Sequence, residues 1–498
     1  MAATTSSSAE AAGDAQETGV ARSSARTATG RRWVIGPVSV ALLSVAIRLL
    51  YGRGWEHYDS VYSLIWGHEL GGGHKPPDIG ALASPTEHPL ANFVAILLQP
   101  LSYAHQLTAL ELISVVSLAA LAYFAFRLGQ VLFNAPVGVV FALILVTAPK
   151  LVGQTLESST DVPFLALVVA AAALEAHRPR RGWPVMTLLA FAGLLRPEAW
   201  LLAGAYWLWL FGALSWRSRT ALAVLGALPA VVWLGFDAWA TGDALKSLHG
   251  TQTAASHIHR PMGLVTALRR GPGYLVGVYG PWVAGGGLVG FLLSLWLLRR
   301  RALLPVALLV IGCGAFLAIG LAHLSLISRY LFVPATVVAL LCAVGAFAWL
   351  SLPASNRWRR PWMIAGSLLL VAVGVGFGAH AASTLPGLRS SAARTSRDDG
   401  DLRALLATRP SQAALSALGR PGCGPLQTND FRARPMVALL RGTDRPEAYV
   451  LVHRRDVART PGLYLDSVRV PHPGAVAPGF VAVARRGVWT LYSGCAVS

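Results

Sequence analysis

The sequence has little charge, little lysine and little cysteine for a chain of 498 residues. Charged residues make up only 13% of it, whereas a soluble globular protein carries about 25%. With 54% hydrophobic residues and a mean hydropathy of +0.53, the chain cannot cover its surface with polar groups. This composition excludes a soluble enzyme and a disordered protein, and it leaves an integral membrane protein with many spans.

Lysine is nearly absent, and the 42 basic residues include only Lys75, Lys150 and Lys246 as lysines. Acidic residues are also few, so the formal net charge is +19. Nucleic-acid binding is not indicated, because the arginines are spread along the chain in short groups between apolar runs. That distribution is typical of the positive-inside rule for membrane proteins.

Several chemical motifs are missing as well. The chain has no CxxC pair, no zinc-type spacing, no GxGxxG and no P-loop, so the sequence indicates no nucleotide cofactor. Of the four cysteines, Cys313 and Cys342 lie in apolar runs and are interpreted as packing residues. Cys423 and Cys495 lie in a segment predicted to be outside the membrane, where disulfides persist. A bridge between them would close a loop of about 70 residues and stabilise it by about 4 kcal/mol.

Eleven apolar runs are long enough, or slightly too short, to cross a hydrocarbon core of about 30 Å. We interpret residues 1–32 as a disordered cytosolic tail and residues 33–380 as a transmembrane domain with a large first outer loop at 51–109. Within that loop, residues 90–104 are interpreted as an interfacial or re-entrant helix. The predicted spans lie near 33–50, 110–130, 136–150, 162–176, 184–196, 200–215, 220–240, 274–298, 302–322, 330–350 and 362–380.

The charges set the orientation of this layout. With a cytosolic N-terminus, sixteen arginines fall in cytosolic segments, and of twelve acids between residues 33 and 380 only Glu175 does. Eleven spans then place residues 381–498 outside the membrane as a small extracytoplasmic α/β domain, which holds 16 arginines and 8 acids. The titratable groups therefore cluster on the outer face.

The first candidate group directly follows the first span. Asp59 lies between Tyr58 and Tyr62, with Glu56 and His57 beside it. A carboxylate at this position can accept a proton from a hydroxyl or bind a metal. The alternative interpretation is a solvated acidic loop.

Two further groups interrupt apolar runs. Glu157 and Asp161 lie at the outer start of the fourth span, where Asp161 could equally be a helix cap. Arg196 and Glu198 break one long apolar stretch. An ionisable pair at membrane depth is costly, which favours function, although a satisfied hairpin turn is the alternative.

A fourth group, Arg329 and Tyr330 with the nearby His323, lies at the outer entrance of the tenth span. Arg329 could bind a phosphate or lie among lipid headgroups. We expect Asp59 and Asp161, with Glu198 or Arg329, to converge on one cavity. The carboxylates of Asp59 and Asp161 should then lie within about 10–12 Å of each other, balanced by an arginine, a proton or a metal.

Taken in order, these residues resemble the motifs of GT-C glycosyltransferases, especially the protein-mannosyltransferase and aminoarabinose-transferase type. The residues that carry the resemblance are Asp59-Ser60-Val61-Tyr62, His88-Pro89-Leu90, Asp161, and Arg329-Tyr330-Leu331 with Pro334. Ser60 stands where the family has a second acid, and Glu56 is a candidate for the missing carboxylate.

The resemblance implies a polytopic α-helical, GT-C-like enzyme of the cell membrane. Its donor would be a polyprenyl-phosphate-linked sugar and its acceptor a glycan, a lipid or a protein. We expect Asp59, as the base, Asp161 and Glu198 to be catalytic. The residues expected to bind substrate are Arg329, Arg196, Tyr330, His88, Glu56 and Glu157. A divalent metal held by Asp59, His57 and His88 is left open.

Two other functional classes remain open. A transporter or lipid flippase would need ionisable residues in mid-span, often with an internal repeat, and no repeat is visible. A non-catalytic envelope assembly protein would also fit the basic C-terminal segment.

Overall fold

The computed structural model describes residues 36–76, 78–79, 84–442, 449–452, 458–470, 476 and 478–495. The tail predicted over residues 1–32 and the first residues of the first predicted span lie outside the described residues. The described chain is mainly α-helical and has one small sheet near its C-terminus.

The helices before residue 350 form the apolar bundle. They are α1 (Gly36–Tyr51), α2 (Tyr58–Gly71), α3 (Pro89–Leu98), α4 (Tyr103–Leu132), α5 (Ala135–Thr147), α6 (Pro149–Leu156), α7 (Asp161–His177), α8 (Trp183–Leu195), α9 (Glu198–Leu210), α10 (Trp216–Thr241), α11 (Lys246–His257), α12 (Leu264–Tyr279), α13 (Pro281–Leu297), α14 (Arg299–Leu321) and α15 (Phe332–Phe347). Short 3-10 turns lie at Phe211–Ala213, Ser328–Leu331 and Ala348–Ser351.

Local sequence signals set several helix ends. The Asn134 side chain accepts a hydrogen bond from the backbone N–H of Val137 and so caps α5, and Ser215 caps α10 through the N–H of Ser218. Such caps satisfy N–H groups that have no partner inside the helix. Helix α10 ends at Gly242, whose φ of +82° suits a residue without a Cβ.

The prediction of eleven spans is not confirmed. Among the described helices, five are long and apolar enough to cross a membrane, and up to seven candidates result if each sharply bent pair counts as one span. Helices α8 and α9 have 13 residues each and so measure only about 20 Å. The charged break between them shortens both.

Two predicted spans are bent. Residues 274–298 were predicted as one span, but the chain breaks at Gly280 and α12 meets α13 at 104°. Gly280 has a φ of +87°, and the following proline has no N–H to continue a helix. Helices α5 and α6 meet at 55° before Pro149.

Helix α16 (Arg359–Leu406) has 48 residues and runs from the last predicted span, 362–380, into the segment that was predicted to lie outside the membrane. At about 1.5 Å per residue it is about 72 Å long, more than twice the hydrocarbon thickness. Its C-terminal part therefore extends beyond the membrane-sized section of the bundle.

The C-terminal sheet domain contains α17 (Arg409–Ser416), α18 (Ala433–Arg441) and five strands. The strands are β1 (Leu426–Thr428), β2 (Val450–Leu451), β3 (Leu463–Ser467), β4 (Val481–Arg486) and β5 (Trp489–Ser493). Their order in the sheet is β2-β1-β3-β5-β4, parallel on the β2-β1-β3 side and antiparallel on the other. The sequence analysis did not foresee β1 or α18. Cys423 and Cys495 form a disulfide with their Cα atoms 4.5 Å apart.

The sheet domain is fixed to the bundle in two ways. A single hydrophobic core joins α2 with the domain, and its members include Tyr62, Ile65, Leu402, Met436 and Leu463. On the other side, Arg469 and Arg486 form ion pairs with Asp398 and Asp401 near the end of α16, at 2.7 and 3.2 Å. The domain is therefore held directly against the helix that carries Asp59.

Candidate active site

Three acidic residues lie in the first turns of three helices. Asp59 is in the first turn of α2, Asp161 begins α7 and Glu198 begins α9. The partial positive charge at a helix N-terminus stabilises a carboxylate, so these positions suit charged acids even in an apolar bundle. These three helix starts lie at the same end of the bundle.

Hydrogen bonds between two loops place Asp59 next to Asp161. The backbone N–H of Trp55 donates to the carbonyl of Leu156 at 2.7 Å, and that of His57 to the carbonyl of Glu157 at 3.0 Å. The Ser60 hydroxyl donates to the carbonyl of Ser158 at 2.8 Å. Ser60 therefore links the start of α2 to the loop before α7.

Arg329 lies between the two carboxylates. Its Nη1 atom is 3.9 Å from Oδ2 of Asp59 and 3.8 Å from Oδ2 of Asp161. Asp161 is almost fully buried, with 2% of its side chain exposed, whereas Arg329 keeps 37% exposed. One guanidinium thus compensates two acids and still presents a surface to a ligand.

Arg196 is buried among the remaining charges. It donates a hydrogen bond to Oδ1 of Asp161, and its Nη2 atom is 3.3 Å from Oε1 of Glu198. Its guanidinium carbon also lies 4.9 Å from the centre of the Tyr330 ring. Because its side chain is only 5% exposed, Arg196 is engaged by protein groups and is not available to a ligand.

Histidines flank Asp59 and shape its charge. Nδ1 of His57 is 3.6 Å from Oδ2 of Asp59. Burial opposes ionisation of Asp59, but the hydrogen bond and charge of His57 and the charge of Arg329 outweigh it and lower the pKa of Asp59 to about 2. His88, which precedes α3, behaves oppositely, because burial lowers its pKa to about 4. Asp59 is therefore ionised and His88 neutral near neutral pH.

The metal site left open by the sequence does not fit these residues. Across the described part of the chain, no three His, Cys, Asp or Glu side chains form a group that could hold a metal ion. Of the proposed ligands Asp59, His57 and His88, the first already faces a guanidinium. An arginine thus occupies the position in which a divalent cation would compensate this carboxylate.

Two acids predicted to bind substrate have protein partners. Glu56 is 6% exposed, and its Oε2 atom is 3.8 Å from Nη2 of Arg403, so it faces α16 and does not supply a second carboxylate beside Asp59. Glu157 directly follows α6, near His57, and accepts a hydrogen bond from Gln154 at 2.9 Å. Burial raises the pKa of Glu157, against the opposing charges of His57 and Arg432.

The sequence analysis did not identify a buried pair of acids near His88. Glu87 and Asp237 are 3% and 1% exposed, and Asp237 accepts hydrogen bonds from the backbone N–H and the hydroxyl of Ser247 at 2.8 and 3.0 Å. Burial, followed by the hydrogen bond and charge of Asp237, raises the pKa of Glu87 to about 9. Glu87 is therefore protonated at neutral pH.

Lys150 is a further site residue that the sequence analysis did not single out. Its Nζ atom donates to the Ser328 hydroxyl at 3.1 Å, next to Arg329. The signal was present, since a lone lysine follows a proline in an apolar stretch, and an ionisable residue at membrane depth suggests function.

A small cleft opens beside Arg329. Its walls are mostly apolar, and it is lined by Phe164, Glu198, Leu202, Ile311, Gly312, Ala315, Arg329, Tyr330 and Val333. A second small cleft, wholly apolar, also contacts Val333 and is lined along α7 and α14 by Val168, Ala172, Leu304 and Leu308. Val333 therefore borders both clefts, and only the cleft beside Arg329 has charged groups in its wall.

Comparison with known proteins identifies the fold. No protein-family model and no curated protein matches this chain. Its structure is similar to the crystal structure of ArnT from Cupriavidus metallidurans bound to undecaprenyl phosphate, with a TM-score of 0.53 and 14% identity over 93% of this chain and 98% of ArnT. The apo state of that ArnT matches with a TM-score of 0.51 and 14% identity over 94% of this chain and 98% of ArnT.

A more distant likeness is to the apo oligosaccharyltransferase of Archaeoglobus fulgidus, with a TM-score of 0.45 and 12% identity over 82% of this chain and 64% of that protein. ArnT is an aminoarabinose transferase of the GT-C type, and its match covers nearly the full length of both chains. The chain is therefore a multi-pass membrane protein with the GT-C fold and a small C-terminal sheet domain.

Proposed function

We propose that this protein is a membrane glycosyltransferase that moves a sugar from a polyprenyl-phosphate donor to an acceptor hydroxyl at the outer face of the membrane. The observation that carries the proposal is the position of Arg329, which lies between Asp59 and Asp161 at the charged end of an apolar cleft. A lipid phosphate needs such a combination of a guanidinium and apolar walls. The likeness to ArnT bound to undecaprenyl phosphate supports it.

The donor lipid would follow the two clefts. Along α14, Leu304 and Leu308 line the wholly apolar cleft, whereas Ile311 and Ala315 line the one that reaches Arg329. A polyprenyl chain buried along this path would be stabilised by the removal of apolar surface from water. Its phosphate would lie against Arg329, with Lys150 close by through Ser328.

The proposed reaction is a displacement at the anomeric carbon. The acceptor oxygen forms a bond to the anomeric carbon while the bond between that carbon and the phosphate oxygen breaks. The electron pair of the broken bond stays on the polyprenyl phosphate. The hydroxyl proton passes to Asp59. Because a carboxylate with a pKa of about 2 is a weak base, this transfer would come late, when the new carbon–oxygen bond has already acidified the hydroxyl.

Asp161 and Glu198, predicted as catalytic, are proposed here as positioning residues. Asp161 is shared among Arg196, Arg329 and the Ser159 hydroxyl, so it orients the guanidinium that would bind the phosphate. Glu198 holds the other side of Arg196. Fixed dipoles and charges of this kind stabilise the charge that develops on a leaving phosphate.

The test is mass spectrometry of lipid-linked sugars and envelope glycans in a strain that lacks this protein. We expect a polyprenyl-phosphate sugar to accumulate and one glycan modification to disappear. The wild-type protein should restore both, whereas Asp59→Asn should restore neither at equal abundance. Asp243→Asn, in an exposed acid away from the site, is the matched control and should restore both. Full restoration by Asp59→Asn, or unchanged glycans in the deletion strain, would contradict the proposal.

A further inference from the structure

The C-terminal sheet domain contributes side chains to the edge of the Asp59 site. The loop between β1 and α18 carries Phe431 and Arg432. The guanidinium carbon of Arg432 lies 5.3 Å from the centre of the Trp55 ring and 5.7 Å from that of Phe431. The rings of Phe431 and Tyr58 are 5.5 Å apart, edge to face. We call Trp55, Tyr58, Phe431 and Arg432 the aromatic rim.

The aromatic rim is continuous with the proposed reaction centre. The Trp55 ring lies 6.0 Å from the His57 ring, and Nδ1 of His57 is 3.6 Å from Oδ2 of Asp59. Tyr58 directly precedes Asp59. A molecule held on the rim would therefore lie beside the residues that flank Asp59.

The loop that presents the rim is held in place. Asn429 donates to the carbonyl of Ser467 at 3.0 Å and accepts from its N–H at 2.9 Å. Oδ1 of Asp430 accepts the backbone N–H of Arg432 at 3.0 Å. Side-chain hydrogen bonds of this kind fix a loop and so reduce the ordering cost of binding.

The Arg432 side chain is exposed, and its positive charge is not paired with a carboxylate among the described residues. Phe431 is 48% exposed and Arg432 is exposed as well. Within the described residues, no carboxylate lies within the 4.0 Å ion-pair distance of the Arg432 guanidinium, in contrast to Arg329, Arg196 and Arg403. The charge of Arg432 interacts electrostatically with two acids, Glu157 and Asp430. Burial raises the pKa of both.

These groups match one chemical class. The negative face of an aromatic ring attracts the C–H groups on a sugar ring face, and an unpaired guanidinium binds carboxylate or phosphate. We propose that the aromatic rim is the acceptor subsite of the proposed glycosyltransferase, on which the inference rests, and that it takes a saccharide bearing a carboxylate or phosphate group. The ring stacks on Phe431, and the anionic group pairs with Arg432.

The test is binding of the full-length protein in lipid nanodiscs to an array of acidic oligosaccharides, each paired with its neutral counterpart. Uronic acids are paired with their carboxyl-reduced forms and sugar phosphates with their dephosphorylated forms, so the array shows which anion is preferred. We expect the wild type to prefer the acidic member of at least one type of pair by about tenfold. Arg432→Gln should abolish this preference, and Phe431→Leu should weaken binding to both members.

Arg485→Gln is the matched control, because it removes the same charge from the exposed strand β4 and should keep the preference. Undecaprenyl phosphate binding, measured separately, should be unchanged in Arg432→Gln and lowered in Arg329→Gln. If the protein binds undecaprenyl phosphate but does not prefer acidic oligosaccharides, the proposed acceptor subsite is contradicted and the proposed function is not. An Arg432-dependent preference in a protein that binds no undecaprenyl phosphate would support the rim and contradict the donor. An equal loss of both activities in Arg432→Gln would reduce Arg432 to a structural role.

Discussion

Arg196 is surrounded by opposite charge in a buried place. Its side chain contacts Asp161, Glu198 and the Tyr330 ring, and it is only 5% exposed. Removing one partner of a buried ion pair leaves an uncompensated charge and costs about 3–5 kcal/mol. Arg196 is therefore expected to matter for the stability of the site before it matters for any ligand.

We predict that Arg196→Met lowers the thermal unfolding temperature of the detergent-solubilised protein strongly. The double variant Arg196→Met with Asp161→Asn should recover part of the loss, because it removes one of the stranded acids. Arg217→Met, at an exposed arginine in the first turn of α10, is the control and should unfold like the wild type. Equal unfolding temperatures for Arg196→Met and the control would show that the buried charges do not depend on Arg196.

Glu87 provides a pH-dependent prediction. Its pKa is raised from 4.5 to about 9 by burial and by Asp237. Between these two values the folded protein holds a proton that the unfolded chain has lost, so stability falls as pH rises through the window. Below the lower value both states are protonated and the stabilisation is fully present.

The unfolding temperature of the wild type should therefore fall relative to that of Glu87→Gln as pH rises from about 5 to about 9. Glutamine can still donate to Asp237 but cannot ionise. Glu69→Gln, on the other side of the loop before α3, should keep the wild-type dependence. A wild type and a Glu87→Gln variant with parallel pH profiles would contradict a protonated Glu87.

Helix α14 allows a test of the proposed lipid path, because neighbouring residues on it face different surroundings. Ile311 is half-buried and lines the cleft beside Arg329, whereas the preceding residue, Val310, is 63% exposed and does not line it. Ile311→Trp should narrow the cleft and lower the affinity for undecaprenyl phosphate by about tenfold or more. Val310→Trp adds at least as much bulk outside the cleft and should bind normally. Equal affinities, measured by lipid binding in nanodiscs, would place the polyprenyl chain elsewhere.

Some elements could be predicted from local patterns and others could not. Asp59, Asp161 and Glu198 were identifiable because each borders an apolar run, where a charge requires a partner. The bend at Gly280 had a signal too, the Gly-Pro pair, but the apolar run around it outweighed that signal. Strand β1 has three residues, which is too short for a period-two pattern to stand out.

The contacts between distant segments had no local signal at all. Glu56 meets Arg403 and Trp55 meets Arg432, although more than 300 residues separate each pair in the sequence. Neither arginine belongs to a motif, so the sequence contains no signal that pairs it with the first loop. The position of Arg329 between two acids likewise depends on how α2, α7 and the turn before α15 pack, which charge patterns do not specify.

The arrangement across the membrane is open to direct test. From the arginine and acid asymmetry we propose a cytosolic N-terminus and a C-terminal sheet domain outside. Single-cysteine labels at positions 180, 300 and 358 should react only after the membrane is permeabilised. Labels at positions 75, 250 and 450 should react with an impermeant reagent in intact cells. Protection of position 450 would place the sheet domain, and with it the proposed acceptor subsite, on the wrong side of the membrane.

A tilt of helix α16 in the membrane would move the sheet domain, which lies at its C-terminal end. The helix runs as one element from the bundle to the ion pairs with the sheet domain, and Pro386 is the one residue beyond its first turn that cannot donate a backbone hydrogen bond. A bilayer of different thickness changes the tilt of a spanning helix, and a change of about 5° over an arm of about 30 Å moves its end by about 3 Å. That distance is the length of a hydrogen bond. The height of the sheet domain above the membrane would therefore respond to the thickness of the surrounding lipid.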